Sequence, residues 1–154
     1  MSSPATVRIA VVISRFNRAV TDNLLEGARE AVAKLGLLCD DEDVFAVPGA
    51  FELPLVAREA AGRDRYVGVV CLGAVIRGET PHFDYVCREA AAGIARVSLD
   101  TGKPVAFGVL TTDDATQALE RAGGAVGNKG YEAVVTVVET LAAIERVRRA
   151  GSGA

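Results

Sequence analysis

Tryptophan is absent, histidine occurs once, and only three tyrosines and five phenylalanines appear in 154 residues. A chain so poor in aromatics must fill its core with aliphatic side chains, and valine, alanine and leucine are abundant. One histidine and no cysteine cluster leave a structural zinc site without ligands. Cys39, Cys71 and Cys87 are odd in number and form no C-x-x-C pair, and Cys71 and Cys87 read as small buried hydrophobes. There is no excess of positive charge, since the net charge is −3, so a nucleic-acid partner is not expected. The longest apolar run, residues 67–76, falls well short of the roughly 20 residues a membrane span requires. The first six residues carry neither a basic segment nor an apolar leader, so a cytoplasmic location is expected.

What is present is a chain that is 50% hydrophobic, more than a small solitary domain needs. Some of that surface is expected to be covered by other subunits. The length suits one domain over residues 1–154, with 1–6 and 150–154 flexible. Apolar runs at 7–13, 44–47, 67–76 and 105–110 read as strands. Between and after them, amphipathic stretches at 19–35, 51–61, 81–100, 114–122 and 131–149 read as helices. The first of these helices has Leu24, Ala28, Ala31, Val32 and Leu35 on one side, and Gly36 suits its end. Residues 123–130 form a glycine-rich link.

Strands alternating with helices predict an α/β fold, a three-layer α/β/α sandwich of flavodoxin-like type. Its four-stranded parallel sheet carries helices on both faces. In such a sheet the ligand site lies beyond the carboxyl ends of the strands. Those ends are 14–17, 48–52, 77–82 and 111–112, and three of them carry unusual chemistry. The familiar nucleotide signatures are missing. Ser14-Arg15-Phe16-Asn17 stands where a G-x-G-x-x-G turn would be, and Lys129 does not follow a glycine as in a phosphate loop.

The stretch Arg77-Gly78-Glu79-Thr80-Pro81-His82 is the most informative. Thr80-Pro81 reads as a helix start, with a capping hydroxyl and a proline whose missing N–H costs nothing there. Gly78, Glu79 and Thr80 then offer backbone amides to an anion, beside the one side chain able to move protons near neutral pH, His82. Phe16 and Phe51 each follow a strand end and together suggest a planar ligand. Glu52 suits either the first turn of its helix or ligand hydroxyls. Arg121 suits either a helix C-terminus or a phosphate fork. Lys129 alone reads as a solvated lysine.

Five segments carry a resemblance in one unbroken order across the chain. They are residues 14–17, Val47-Pro48-Gly49-Ala50-Phe51-Glu52-Leu53-Pro54, residues 72–87, Phe107-Gly108-Val109-Leu110-Thr111-Thr112, and Glu120-Arg121-Ala122-Gly123 with Gly127-Asn128-Lys129-Gly130. Together they resemble the lumazine synthase family. The resemblance implies condensation of 5-amino-6-(D-ribitylamino)uracil with 3,4-dihydroxy-2-butanone 4-phosphate to 6,7-dimethyl-8-ribityllumazine, a transferase step of riboflavin biosynthesis that uses no cofactor and no metal. It implies that Phe16 stacks on the pyrimidine and that Ala50, Phe51 and Glu52 hold the ring edge and ribityl hydroxyls. Ala74, Val75 and Ile76 are expected to line the ring pocket. Gly78, Glu79, Thr80 and Arg121 take the phosphate, and His82 shuttles protons. Phe107 and Lys129 come from the adjoining subunit.

The resemblance further implies a homopentamer, twelve of which build a sixty-subunit icosahedral shell that can enclose riboflavin synthase. The short link at 123–130 fits the shell, whereas the brief segment before Val7 departs from relatives with a longer N-terminal strand. A catalytically silent lumazine-binding homologue, or a mainly structural shell protein, are the alternatives.

Overall fold

A computed structural model describes residues 7–151. Strands β1 (Ile9–Ser14), β2 (Val44–Val47), β3 (Gly68–Ile76) and β4 (Val105–Thr112) form one parallel sheet in the order β2-β1-β3-β4. That is the flavodoxin-like strand order without its fifth strand, as the alternating pattern predicts. Every residue of β1 is buried, and β3 is buried from Gly68 to Ala74. Burial on both faces explains why these two strands read as unbroken apolar runs.

Helices α1 (Arg18–Leu35) and α5 (Lys129–Ala150) pack against each other over one face of the sheet. They meet Val11, Ile13, Val70 and Leu72. Helices α2 (Leu53–Ala61) and α3 (His82–Thr101) cover the other face and meet Val12, Val69 and Cys71. Successive strand residues point to opposite faces, so the two cores share one backbone layer. On α3 the spacing predicts an inner stripe of Phe83, Val86, Ala90, Ile94 and Val97, and all are buried except Val86, which is half-buried. Among the described residues, no helix is long and apolar enough to cross a membrane.

Three local expectations are corrected. Leu35, the last residue of α1, is 37% exposed, and Gly36 ends the helix at φ 69°. Gly36 donates its N–H to the carbonyls of Ala33 and Val32, the left-handed C-terminal stop that glycine favours. Phe51 lies outside α2, in a 3₁₀ turn over Ala50–Glu52, and α2 starts at Leu53 with Pro54 in its first turn. The glycine-rich link is an antiparallel hairpin of β5 (Ala122–Gly124) and β6 (Gly127–Asn128), preceded by α4 (Ala115–Glu120). Gly123 at φ 98° and Gly127 at φ 111° adopt backbone that L side chains rarely take. The expected flexible ends fall largely on residues 1–6 and 152–154, outside the described residues; Ala150 closes α5.

The side chain of Asp43 is wholly buried between β2 and the β3 approach. It pairs with Arg8, accepts from the Tyr66 hydroxyl at 2.8 Å and the Asp40 amide at 2.9 Å, and meets Arg65 at 3.3 Å. Burial alone would raise its carboxyl, but these donors and the Arg8 charge hold it below the usual carboxylate range.

Candidate active site

The strand order reverses between β1 and β3, so the connections leaving their carboxyl ends run to opposite faces and leave a gap. A crevice of about 650 Å³ occupies that gap, within the range of small-molecule sites. The turn after β1 supplies Phe16 and Asn17, and the turn after β2 supplies Pro48 to Glu52. The end of β3 supplies Ala74, Val75 and Ile76 as the floor, and Gly78, Thr80 and His82 close the far side.

The two phenylalanines have not been drawn into the core. Phe16 is 70% exposed and Phe51 57% exposed, both beside the crevice. Leaving large apolar rings in water is unfavourable unless something covers them, so each presents a face for a planar group. Glu52 stands next to Phe51, exposed on the 3₁₀ turn. Gly49 fits under it closely, since a Cβ there would approach Glu52 Oε1 to 3.2 Å.

Asn17 fixes the β1 turn. Its backbone is left-handed at φ 63°, the one non-glycine residue of this kind among the described residues. Asparagine tolerates that conformation better than most side chains. Its Nδ2 donates to the Ala74 carbonyl at 2.8 Å, tying the turn that carries Phe16 to the end of β3.

The helix start at residues 80–82 takes a slightly different form from the expected one. The first residue of α3 is His82, Pro81 is its N-cap residue, and Thr80 Oγ1 lies 3.4 Å from the His82 amide, a long contact. His82 is therefore at the N-terminal tip, exposed and on the crevice wall. Among the described residues, no protein group accepts from the amides of Gly78, Glu79 or Thr80. Free amides at a helix N-terminus form a site for an anion. Gly78 itself has φ outside the left-handed region, and a Cβ there would meet nothing within 4 Å.

Ten of the fourteen expected site residues thus line one crevice. Glu79 does not line it, although its neighbours do. Arg121, expected to join Gly78 and Thr80 on a phosphate, does not line it within this chain. It ends α4, where its guanidinium donates to the Gln117 carbonyl at 3.0 Å and lies 3.7 Å from Glu120. Lys129 is beside it, its amide bonded to the Arg121 carbonyl at 2.9 Å across the hairpin. Phe107 lies on the edge strand β4, half-buried against the α2/α3 core. The hairpin that carries Arg121 and Lys129 packs on α1, and none of the three residues lines the crevice of its own chain.

Asn17 and Tyr85 were not singled out from the sequence, yet both line the crevice. Tyr85 follows His82 by three positions and shares its helix face, so spacing could have found it. Asn17 had no such signal beyond its place in the turn.

The chain is similar to known proteins over most of its length. Residues 6–145 match the family model described as 6,7-dimethyl-8-ribityllumazine synthase. The chain is 50% identical over 141 residues to a curated protein of Syntrophus aciditrophicus (strain SB), named 6,7-dimethyl-8-ribityllumazine synthase. That alignment covers 92% of each chain.

Proposed function

The chain belongs to the 6,7-dimethyl-8-ribityllumazine synthase family, and from that premise we propose how the crevice carries the reaction. The enzyme is a transferase of riboflavin biosynthesis. It joins 5-amino-6-(D-ribitylamino)uracil to 3,4-dihydroxy-2-butanone 4-phosphate, releasing phosphate and water.

Phe16 stacks on the pyrimidine, and Ala50, Phe51 and Glu52 hold the ring edge and the ribityl hydroxyls. Ala74, Val75 and Ile76 line the ring pocket. The phosphate rests on the amides of Gly78, Glu79 and Thr80. His82 moves protons during imine formation, phosphate loss and ring closure. The substrate amine is the nucleophile, so the protein needs no activated serine or cysteine. Holding two reactants in register supplies up to roughly 7–11 kcal/mol in favourable cases. Proton transfer adds about 10²–10⁴-fold.

Arg121, Phe107 and Lys129 enter the crevice of a neighbouring copy. That none of the three lines the crevice of its own chain, together with the open rim around Phe16 and Phe51, supports this reading. It makes the oligomer part of the catalyst. The assembly is a homopentamer, and pentamers build a sixty-subunit shell able to enclose riboflavin synthase. A cytoplasmic location fits three free thiols.

The carrying observation is the juxtaposition in one crevice of two exposed aromatic faces, the unengaged amides of Gly78 and Thr80 and the chain's single imidazole. Mixing both substrates with the purified protein and following lumazine absorbance tests it. Product and inorganic phosphate are expected one for one. Ligand binding without turnover would instead identify a silent homologue.

A further inference from the structure

We propose that Arg77 is a positioning residue for the anion loop, clamping Gly78–Thr80 in register with the first turn of α3 rather than binding the anion itself. This rests on the reading that the loop takes the phosphate. An arginine one residue before such a loop would ordinarily be read as a phosphate ligand. Its surroundings argue otherwise.

The Arg77 amide donates to the Thr112 carbonyl at 2.8 Å, the last rung between the β3 and β4 ends. Beyond that rung the backbone of 78–80 makes no ladder bond. The side chain takes over there. Nε donates to Asp113 Oδ1 at 3.0 Å, just past β4, and NH1 lies 3.7 Å from Asp84 Oδ1 in the first turn of α3. The guanidinium carbon Cζ lies over the Phe83 ring, 4.5 Å from its centroid, and Phe83 lines the crevice. Arg77 does not line it.

One planar group therefore joins the exit of β3, the exit of β4 and the start of α3. Two carboxylates already balance its charge, which leaves little net attraction for a further anion. Exposed ion pairs contribute little to global stability, so the value of this clamp lies in geometry. Misplacing a binding group by about 1 Å can cost on the order of 10²-fold in rate. Lysine has no planar fork, so it cannot serve both carboxylates and the ring together.

The test compares Arg77→Ala, Arg77→Lys and Asp113→Asn in the assembled enzyme, by steady-state kinetics and thermal melting. The positioning role predicts that each raises KM for the butanone phosphate, Arg77→Ala on the order of tenfold. KM for the pyrimidine and the melting temperature should stay nearly fixed. Arg77→Ala combined with Asp113→Asn should be no worse than Arg77→Ala alone, since both break one clamp. Full rescue by Arg77→Lys, or a lower KM in Asp113→Asn, would show direct charge attraction and overturn the proposal. Unchanged kinetics in all three would overturn it as well. If Arg77→Ala fails to fold, the other two variants still decide. Inorganic phosphate is the probe for the underlying reading. If it does not compete with the butanone phosphate in the parent enzyme, the loop assignment fails. If it competes and the Arg77 variants are normal, only the clamp fails.

Discussion

Replacing Gly78 by alanine separates what the fold needs from what the ligand needs. Gly78 does not adopt left-handed backbone, and a Cβ there finds open space within the chain. At such a position alanine reduces unfolded-state entropy and changes stability by about 0.4–1 kcal/mol in the favourable direction. The folded chain therefore gives no reason for glycine. A phosphate resting on the 78–80 amides does, because a methyl group would hold it away from the Gly78 N–H. Losing one hydrogen bond to a charged group costs about 1.5–3 kcal/mol, which is roughly 10- to 150-fold in kcat/KM for the butanone phosphate. Initial rates of lumazine formation at varied butanone phosphate measure that loss, and a melting curve measures stability. Parent-like use of the phosphate substrate, or a melting temperature several degrees lower, would refute the reasoning.

His82→Ala should fold normally, since the residue is exposed at a helix tip, and should lose about 10²–10⁴-fold in kcat while staying above the buffer rate. Activity equal to buffer would show that positioning supplies little. Asp43→Asn should lower stability at pH 7 by about 3 kcal/mol, the low end for a broken buried pair because both arginines keep contact with water. The Asp43 carboxyl is depressed in the folded state, so its contribution is complete above the unfolded value of 3.8 and disappears as pH falls through the folded one. Acid melting of the parent should therefore steepen below about pH 4, and that of Asp43→Asn should be flatter there.

The layered fold was legible because β1 and β3 are buried on both faces and so read as continuous apolar runs, while α3 shows one apolar stripe. The hairpin at Ala122–Asn128 was hidden because glycines signal permissive backbone without saying which turn it makes. Leu35 misled because helical spacing gives the side of a helix but not how far burial continues to its end. Within the site, Phe16, Phe51, Gly78 and His82 were readable because each is anomalous for its setting. Asn17 was not, since its role is a tertiary bond to the Ala74 carbonyl 57 positions away. Arg121 looked like a companion of Gly78 only while the chain was considered alone. Within its own chain it is tied to Lys129 across the hairpin and does not line the crevice.

Mixing subunits tests the shared site most directly. Gly78→Asp puts a carboxylate where the phosphate is proposed to rest, and Arg121→Glu removes the cation proposed to arrive from the next copy. Each homogeneous assembly should be nearly inactive. Co-assembled in equal amounts, roughly a quarter of the sites should contain neither change and regain parent-like turnover. If the mixture stays as inactive as its components, the crevice is not completed by Arg121 of another copy.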